Sequence, residues 1–250
     1  MTELFKRLLC TRGLSESFLD PKYEDLEDAF LLPDMEQAVE RIILAGKRGE
    51  KVAIYGDYDV DGVTASTVMR EALIFGGVKK ENIKILLPDR FGEGYGMNRG
   101  AIKEIEDFGA NLVVTVDCGS GSGEVIEILA DRKVEVIVTD HHEIPNVPKK
   151  AVAVVNPKRG EIGRGLAGVG VAFKVAVAVK SRILGGRLDG QEKWLLDLVA
   201  IGTICDSMEL LGENRILTYW GMKVLARTKR LGLLELMKVA KVDKSKIDSH

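Results

Sequence analysis

The sequence predicts an α/β fold: a mostly parallel central sheet with helices on both faces, followed by a helical C-terminal part. Three observations point there. From Lys51 onward, short β-branched runs alternate with longer helical stretches, the pattern of strands joined by crossover helices. Most of those runs lack polar alternation, as expected of strands covered on both faces. After Asn156 the strand-like runs give way to long Ala/Val/Leu-rich stretches.

Taken in order, residues 35–47 read as an amphipathic helix feeding the first strand. Strands are expected at Lys51–Tyr55, Ile83–Leu87, Leu112–Val116, Val134–Thr139 and Ala151–Val155, each too short to be a helix. Helices are expected between them at Val63–Phe75, Met97–Phe108 and Gly123–Asp131. The stretches Leu166–Leu184 and Glu192–Ile204 are long and apolar, and 213–239 reads as two more helices. Residues 1–33 show little periodicity and read as an N-terminal arm. No internal repeat or low-complexity segment occurs.

The 250 residues suffice to bury a sizeable core. Apolar residues make up 46% and charged residues 30%, ordinary values for a globular protein. No apolar run reaches the roughly 18–20 residues needed to cross a bilayer, so no membrane partner is expected. Met1–Arg12 is basic and mildly apolar, but Glu3 interrupts it and no small-residue cleavage site follows, so a cytoplasmic location is the expectation. A net charge of −2 limits any expectation of broad, non-specific binding of duplex DNA. Basic residues confined to a cleft remain compatible with a nuclease. The three cysteines form no CxxC pair, which argues against structural zinc; Cys118 and Cys205 read as small buried hydrophobes beside acids.

The chemistry lies in where the acids fall. Tyr55-Gly56-Asp57-Tyr58-Asp59-Val60-Asp61-Gly62 follows the first strand and opens a helix. Alternate side chains of an extended segment point the same way, so Asp57, Asp59 and Asp61 can converge. Three such carboxylates repel one another unless cations sit among them. Gly56 and Gly62 are expected to let the backbone turn on either side. An Asp-rich turn with a helix N-cap is the plain alternative. An EF-hand fails because Val68 stands where its last acid belongs, and no Gly-Lys-Ser/Thr marks a phosphate loop.

Asp117 ends the third strand run, and Asp140-His141-His142 ends the fourth. Ligands of open parallel sheets gather outside the carboxyl ends of strands, so three strands aim acids and imidazoles at one crevice. Asp206 closes a further apolar stretch; an acid there either marks the surface or is a ligand. An oxygen-rich site with one imidazole suits Mn²⁺ or Mg²⁺. Two such ions can activate a water and clamp a phosphate, with Asp117 as the candidate shared carboxylate.

These residues, with Leu87-Pro88-Asp89-Arg90-Phe91-Gly92-Glu93-Gly94-Tyr95-Gly96, Val155-Asn156-Pro157-Lys158-Arg159 and Gly165 to Lys174, resemble the DHH phosphoesterase superfamily. Within it they are similar to RecJ-type single-stranded-DNA-specific exonucleases. The resemblance runs from about Asp34 to about Leu236. It implies a DHH-type domain over 34–243, with a helical extension from about 166, and a tail or junction at 244–250 to a second domain absent from this sequence. It further implies 5′-to-3′ exonuclease action on single-stranded DNA with two Mn²⁺ or Mg²⁺ ions, in repair or recombination. Carried over, Asp57, Asp59, Asp61, Asp117, His141 and Asp206 are the metal ligands. His142 stands near the scissile phosphate, and Asp140 orients an imidazole. Arg90, Tyr95, Asn156, Lys158 and Arg159 are the implied substrate contacts. Single-stranded nucleic acid is the implied partner, with repair or replication proteins as further candidates. Two alternatives stay open: a phosphodiesterase acting on short oligonucleotides or cyclic dinucleotides, and a non-catalytic scaffold in replication or repair complexes.

Overall fold

A computed structural model describes residues 3–89, 96–244 and 247. Helix α1 (Glu3–Thr11) and short single turns lead into α2 (Met35–Arg48), which ends on Gly49 with a left-handed backbone. Strand β1 (Val52–Gly56) feeds α3 (Val60–Phe75), and β2 (Ile83–Leu86) precedes α4 (Arg99–Phe108). Next come β3 (Leu112–Val116), α5 (Gly123–Asp131), β4 (Glu135–Thr139) and β5 (Ala153–Val155). The helical part holds α6 (Gly168–Ile183), α7 (Leu196–Cys205), α8 (Gly212–Leu225) and α9 (Leu231–Val239). Among the described residues no helix is long and apolar enough to cross a membrane.

The five strands run parallel in the order β2-β1-β3-β4-β5. The chain goes one way from β1 to β2 and the other way to β3, so a topological switch point lies between β1 and β3. Residues alternate between the two faces. Ile54, Val114 and Ile137 join α2, α3 and α6 in one core, while Ala53, Val113 and Val136 join α4 and α5 in the other. This two-sided burial explains the unbroken apolar strand runs.

Each expected strand and helix is present, with ends shifted by a few residues. The stretch expected at Glu192–Ile204 splits into a tight turn at Gln191–Leu195 and α7. The N-terminal arm is more structured than its lack of periodicity suggested. Ala29 and Leu32 enter the core, Arg215 donates to the Phe18 carbonyl, and Trp220 donates to the Pro21 carbonyl. Residues 16–31 run mostly as isolated 3-10 turns, which leave no repeating period in the sequence.

Candidate metal centre

The carboxyl ends of β1, β3 and β4 converge at the switch point. Asp57 directly follows β1 and is buried; its Oδ1 accepts the Tyr58 amide at 2.8 Å. Asp59 caps α3, with Oδ1 accepting the Gly62 amide at 2.9 Å. Asp61, one turn in, is buried beneath them. Its Oδ2 and Oδ1 accept the Gly168 and Val169 amides at 2.6 and 2.9 Å. That carboxylate therefore sits on the amide-rich N-terminus of α6, where negative charge is favoured. Gly168 allows the approach, since a Cβ there would lie 2.6 Å from that of Asp117.

Asp117, just beyond β3, adopts a left-handed backbone (φ 58°), rare for a non-glycine residue and concentrated at functional sites. Its amide donates to the Thr139 carbonyl at 3.0 Å, which holds the turn. Around His141 Nε2 lie Asp117 Oδ1 at 3.0 Å, Asp206 Oδ2 at 3.7 Å and Asp61 Oδ2 at 3.8 Å. Donor atoms of Asp61, His141 and Asp206 fall within 4.8 Å of one another, as do those of Asp57, Asp59 and Asp117. A third group, Asp117, His141 and His142, meets the same limit, so Asp117 joins the two sets.

The donor chemistry fits divalent cations. Asp117 Oδ1, His141 Nε2 and Asp206 Oδ2 are buried without hydrogen-bond partners, although buried polar atoms normally have them. Burial, followed by the Asp117 charge, pushes the Asp61 carboxyl up to about 8. Burial, followed by the Asp59 charge, pushes Asp117 up to about 8 as well. Burial also raises Asp57 and Asp206. Such a cluster needs positive charge to ionise at neutral pH, and its hard oxygens with one imidazole suit Mn²⁺ or Mg²⁺.

The model of the DHH family, N-terminal domain, matches residues 51–203. This chain belongs to the DHH family. The DHH chain is 41% identical over 249 residues to the single-stranded-DNA-specific exonuclease RecJ of Bacillus subtilis, a match covering 96% of this chain and 30% of that protein. It is 36% identical to the RecJ of Haemophilus influenzae, covering 89% of this chain and 40% of that one. Among solved structures, RecJ from Thermus thermophilus in complex with Mn²⁺ matches with a TM-score of 0.77 at 28% identity, covering 94% of this chain and 33% of that chain. The DHH chain thus spans less than half the length of these relatives.

The second histidine of the DHH triplet lies beside the first, with ring centroids 4.4 Å apart, but is held differently. His142 is half-exposed, and its Nδ1 lies 2.8 Å from Asp140 Oδ1. Asp140 is nearly saturated: it also accepts the His141 and His142 amides on Oδ1 and the Ser120 amide on Oδ2. Burial alone would raise Asp140, but the hydrogen bonds from His142 and Ser120 outweigh it and hold the carboxyl at about 2. In return, the Asp140 hydrogen bond outweighs burial at His142 and lifts the imidazole to about 9. Asp140 thereby favours the protonated form of His142.

The expected substrate contacts fare differently. Arg90 and Tyr95 lie outside the described residues. Asn156 is fully buried, so it does not face a substrate. Its Nδ2 donates to Ser120 Oγ and the His142 carbonyl, and its Oδ1 accepts the Lys158 amide. It ties together the loops after β3, β4 and β5. Arg159 is engaged structurally: its Nη1 meets Asp34 at 2.6 Å and the Val154 carbonyl, because a half-buried guanidinium needs local acceptors. Lys158 pairs with Glu143 at 3.1 Å and stays partly exposed.

Two smaller expectations are corrected. Gly62 has no left-handed backbone; it is required because a Cβ would meet Asp57 main-chain atoms at 2.4 Å. Cys118 is buried as expected, but Cys205 is exposed, since it lies at the end of α7 facing outward. The residues the sequence reading left without a role are Gly168, Val169 and Ser120. They contribute through main-chain amides, which carry no residue-type signal, and Ser120 also through its Oγ, the acceptor of Asn156 Nδ2.

Proposed function

We propose that this DHH chain is a two-metal phosphodiester hydrolase acting as a single-stranded-DNA exonuclease, with 5′-to-3′ direction and a role in repair or recombination in the cytoplasm. The observation that carries it is the meeting of three unpartnered buried atoms, Asp117 Oδ1, His141 Nε2 and Asp206 Oδ2, beside the Asp57–Asp59 pair. The names and metal content of the RecJ relatives support the same reading. We take 34–243 as the catalytic unit, preceded by an N-terminal arm.

Asp57, Asp59 and Asp117 would hold one ion, and Asp61, Asp117, His141 and Asp206 the other. When bound, Mn²⁺ or Mg²⁺ in such a pair supplies Lewis-acid activation of water and charge stabilisation at the phosphoryl group. The chain's own residues do the rest. The α6 amides fix Asp61, and the backbone bond to Thr139 fixes Asp117, so the donors are aimed before substrate arrives. His142, half-exposed and favoured in its protonated form by Asp140, would offer a hydrogen bond to the phosphate oxygens. Asp140 fixes its tautomer and orientation.

The test uses the native chain with a 5′-phosphorylated single strand and a matched duplex in Mn²⁺. Mononucleotide release from the single strand, abolished by chelation, is expected. Absence of hydrolysis together with no stoichiometric Mn²⁺ in calorimetry would overturn the reading.

A further inference from the structure

The overall charge of −2 leaves any strand contact to local chemistry. A groove of about 720 Å³ opens beside the metal centre between α3 and α9, and Asp59 lines its inner end. Val60 and Val63 form one wall at 44% and 41% exposure, in the first turns of α3 next to the ligand acids. Leu233 and Leu236 of α9 face the same groove. Arg230 lines this groove and also a second hollow of about 490 Å³, which Trp194 and Lys229 line.

Arg230 is held in place from behind. Asp197, itself buried, accepts from its Nε at 3.1 and 3.0 Å, and the Trp194 carbonyl accepts from Nη2 at 3.3 Å. No hydrogen bond of Nη1 is made among the described residues. Lys229 is exposed and enters no ion pair among the described residues. Trp194 presents an indole that is 54% exposed. An unshielded aromatic beside two cations is the chemistry of a single-strand platform: bases stack on the ring while cations meet the phosphates.

Resting on the phosphodiesterase reading above, we propose that the single strand runs from the metal centre along the Val60–Leu236 groove to a platform where a base stacks on Trp194 and Arg230 and Lys229 meet the backbone. The groove is continuous with the centre through Asp59. Once cations neutralise that acid and Arg230 neutralises Asp197, the track carries net positive charge through Lys229. Its apolar walls suit the faces of splayed bases.

The chain has two tryptophans, which allows a direct test. In a Trp220→Phe background, emission from Trp194 is followed while a non-hydrolysable phosphorothioate thymidine strand of roughly 15 nucleotides is added in Mg²⁺. Saturable quenching is expected. Trp194→Ala should weaken strand affinity, read by anisotropy, roughly 5- to 150-fold. Trp194→Phe should restore most of it, and Lys229→Glu should weaken it and flatten its salt dependence. Unquenched emission on a strand that anisotropy shows to be bound overturns the path, as does full affinity in Trp194→Ala; either leaves the phosphodiesterase reading standing. Quenching with no hydrolysis of an ordinary strand by the native chain overturns that reading and supports the path. Quenching by an apolar peptide but not by the strand overturns the assigned occupant.

Discussion

Asp61 and His141 meet behind the rim, buried and set against the amides of α6, whereas Asp57 and Asp59 ride the loop between β1 and α3, with Asp59 exposed at the groove. Both donor sets lean on Asp117, yet they are built differently. The inner set is shaped by the fold and resists ionisation until a cation arrives. The outer set keeps Asp57 and Asp117 buried and reaches solvent and the groove through Asp59. The contrast assigns different duties: the inner set anchors an ion, and the outer one exchanges and meets substrate.

The sharpest way to break that division is the residue both sets share. Asp117→Ala should lower the proposed phosphodiesterase activity by roughly 10³-fold or more and cut calorimetric Mn²⁺ stoichiometry; one ion retained at native affinity would refute the shared carboxylate. Next in size, Asp140→Asn should cost roughly 10²–10⁴-fold in kcat with metal stoichiometry unchanged, because the remaining amide oxygen can still accept the His141 amide while the charge that holds His142 is lost. Loss of metal there would put Asp140 among the ligands instead.

Acidity bears on both sets through Asp117 and on the inner one also through Asp61. Protons must leave Asp61 and Asp117, both pushed up to about 8, before the inner set can bind. Mn²⁺ affinity should therefore climb from pH 6 to pH 8 and level above it, by about tenfold per unit for each proton released. Metal-free stability should run the opposite way. Folded carboxyls keep protons that unfolded ones lose from about pH 4, so this contribution falls as pH rises toward 8. A flat calorimetric profile over that window would contradict the burial argument. The smallest effect is on stability in saturating Mg²⁺. Asp61→Ala should cost about 2–4 kcal/mol, since two buried amides lose their acceptor. Asp59→Ala should cost about 1 kcal/mol, the worth of a cap. Equal costs by chemical denaturation would erase the distinction.

Much of this was readable beforehand for identifiable reasons. Two-sided burial made β1, β3 and β4 stand out as apolar runs, and acids at their carboxyl ends marked the crevice. The limits are equally physical. A basic or amide side chain next to a site motif reads the same whether it faces a substrate or the protein interior. Asn156 and Arg159 turned out to face inward. Main-chain donors such as those of Gly168 and Val169 are invisible to residue type. Residues 16–31 of the N-terminal arm fold through single turns, and Phe18 and Pro21 make long-range contacts to α8, which no local period encodes.

The tie between Asp61 and the start of α6 has a mechanical consequence. Twelve of the 16 residues of α6 are buried, including Phe173 at its middle, so this helix is the hydrophobic keel of the molecule. An ion seated against Asp61 pulls on that keel through two peptide protons. Hydrogen exchange at Gly168 and Val169 should then slow when cation is added, turning a pair of backbone amides into a gauge of occupancy and stiffening the whole helical half from its rim.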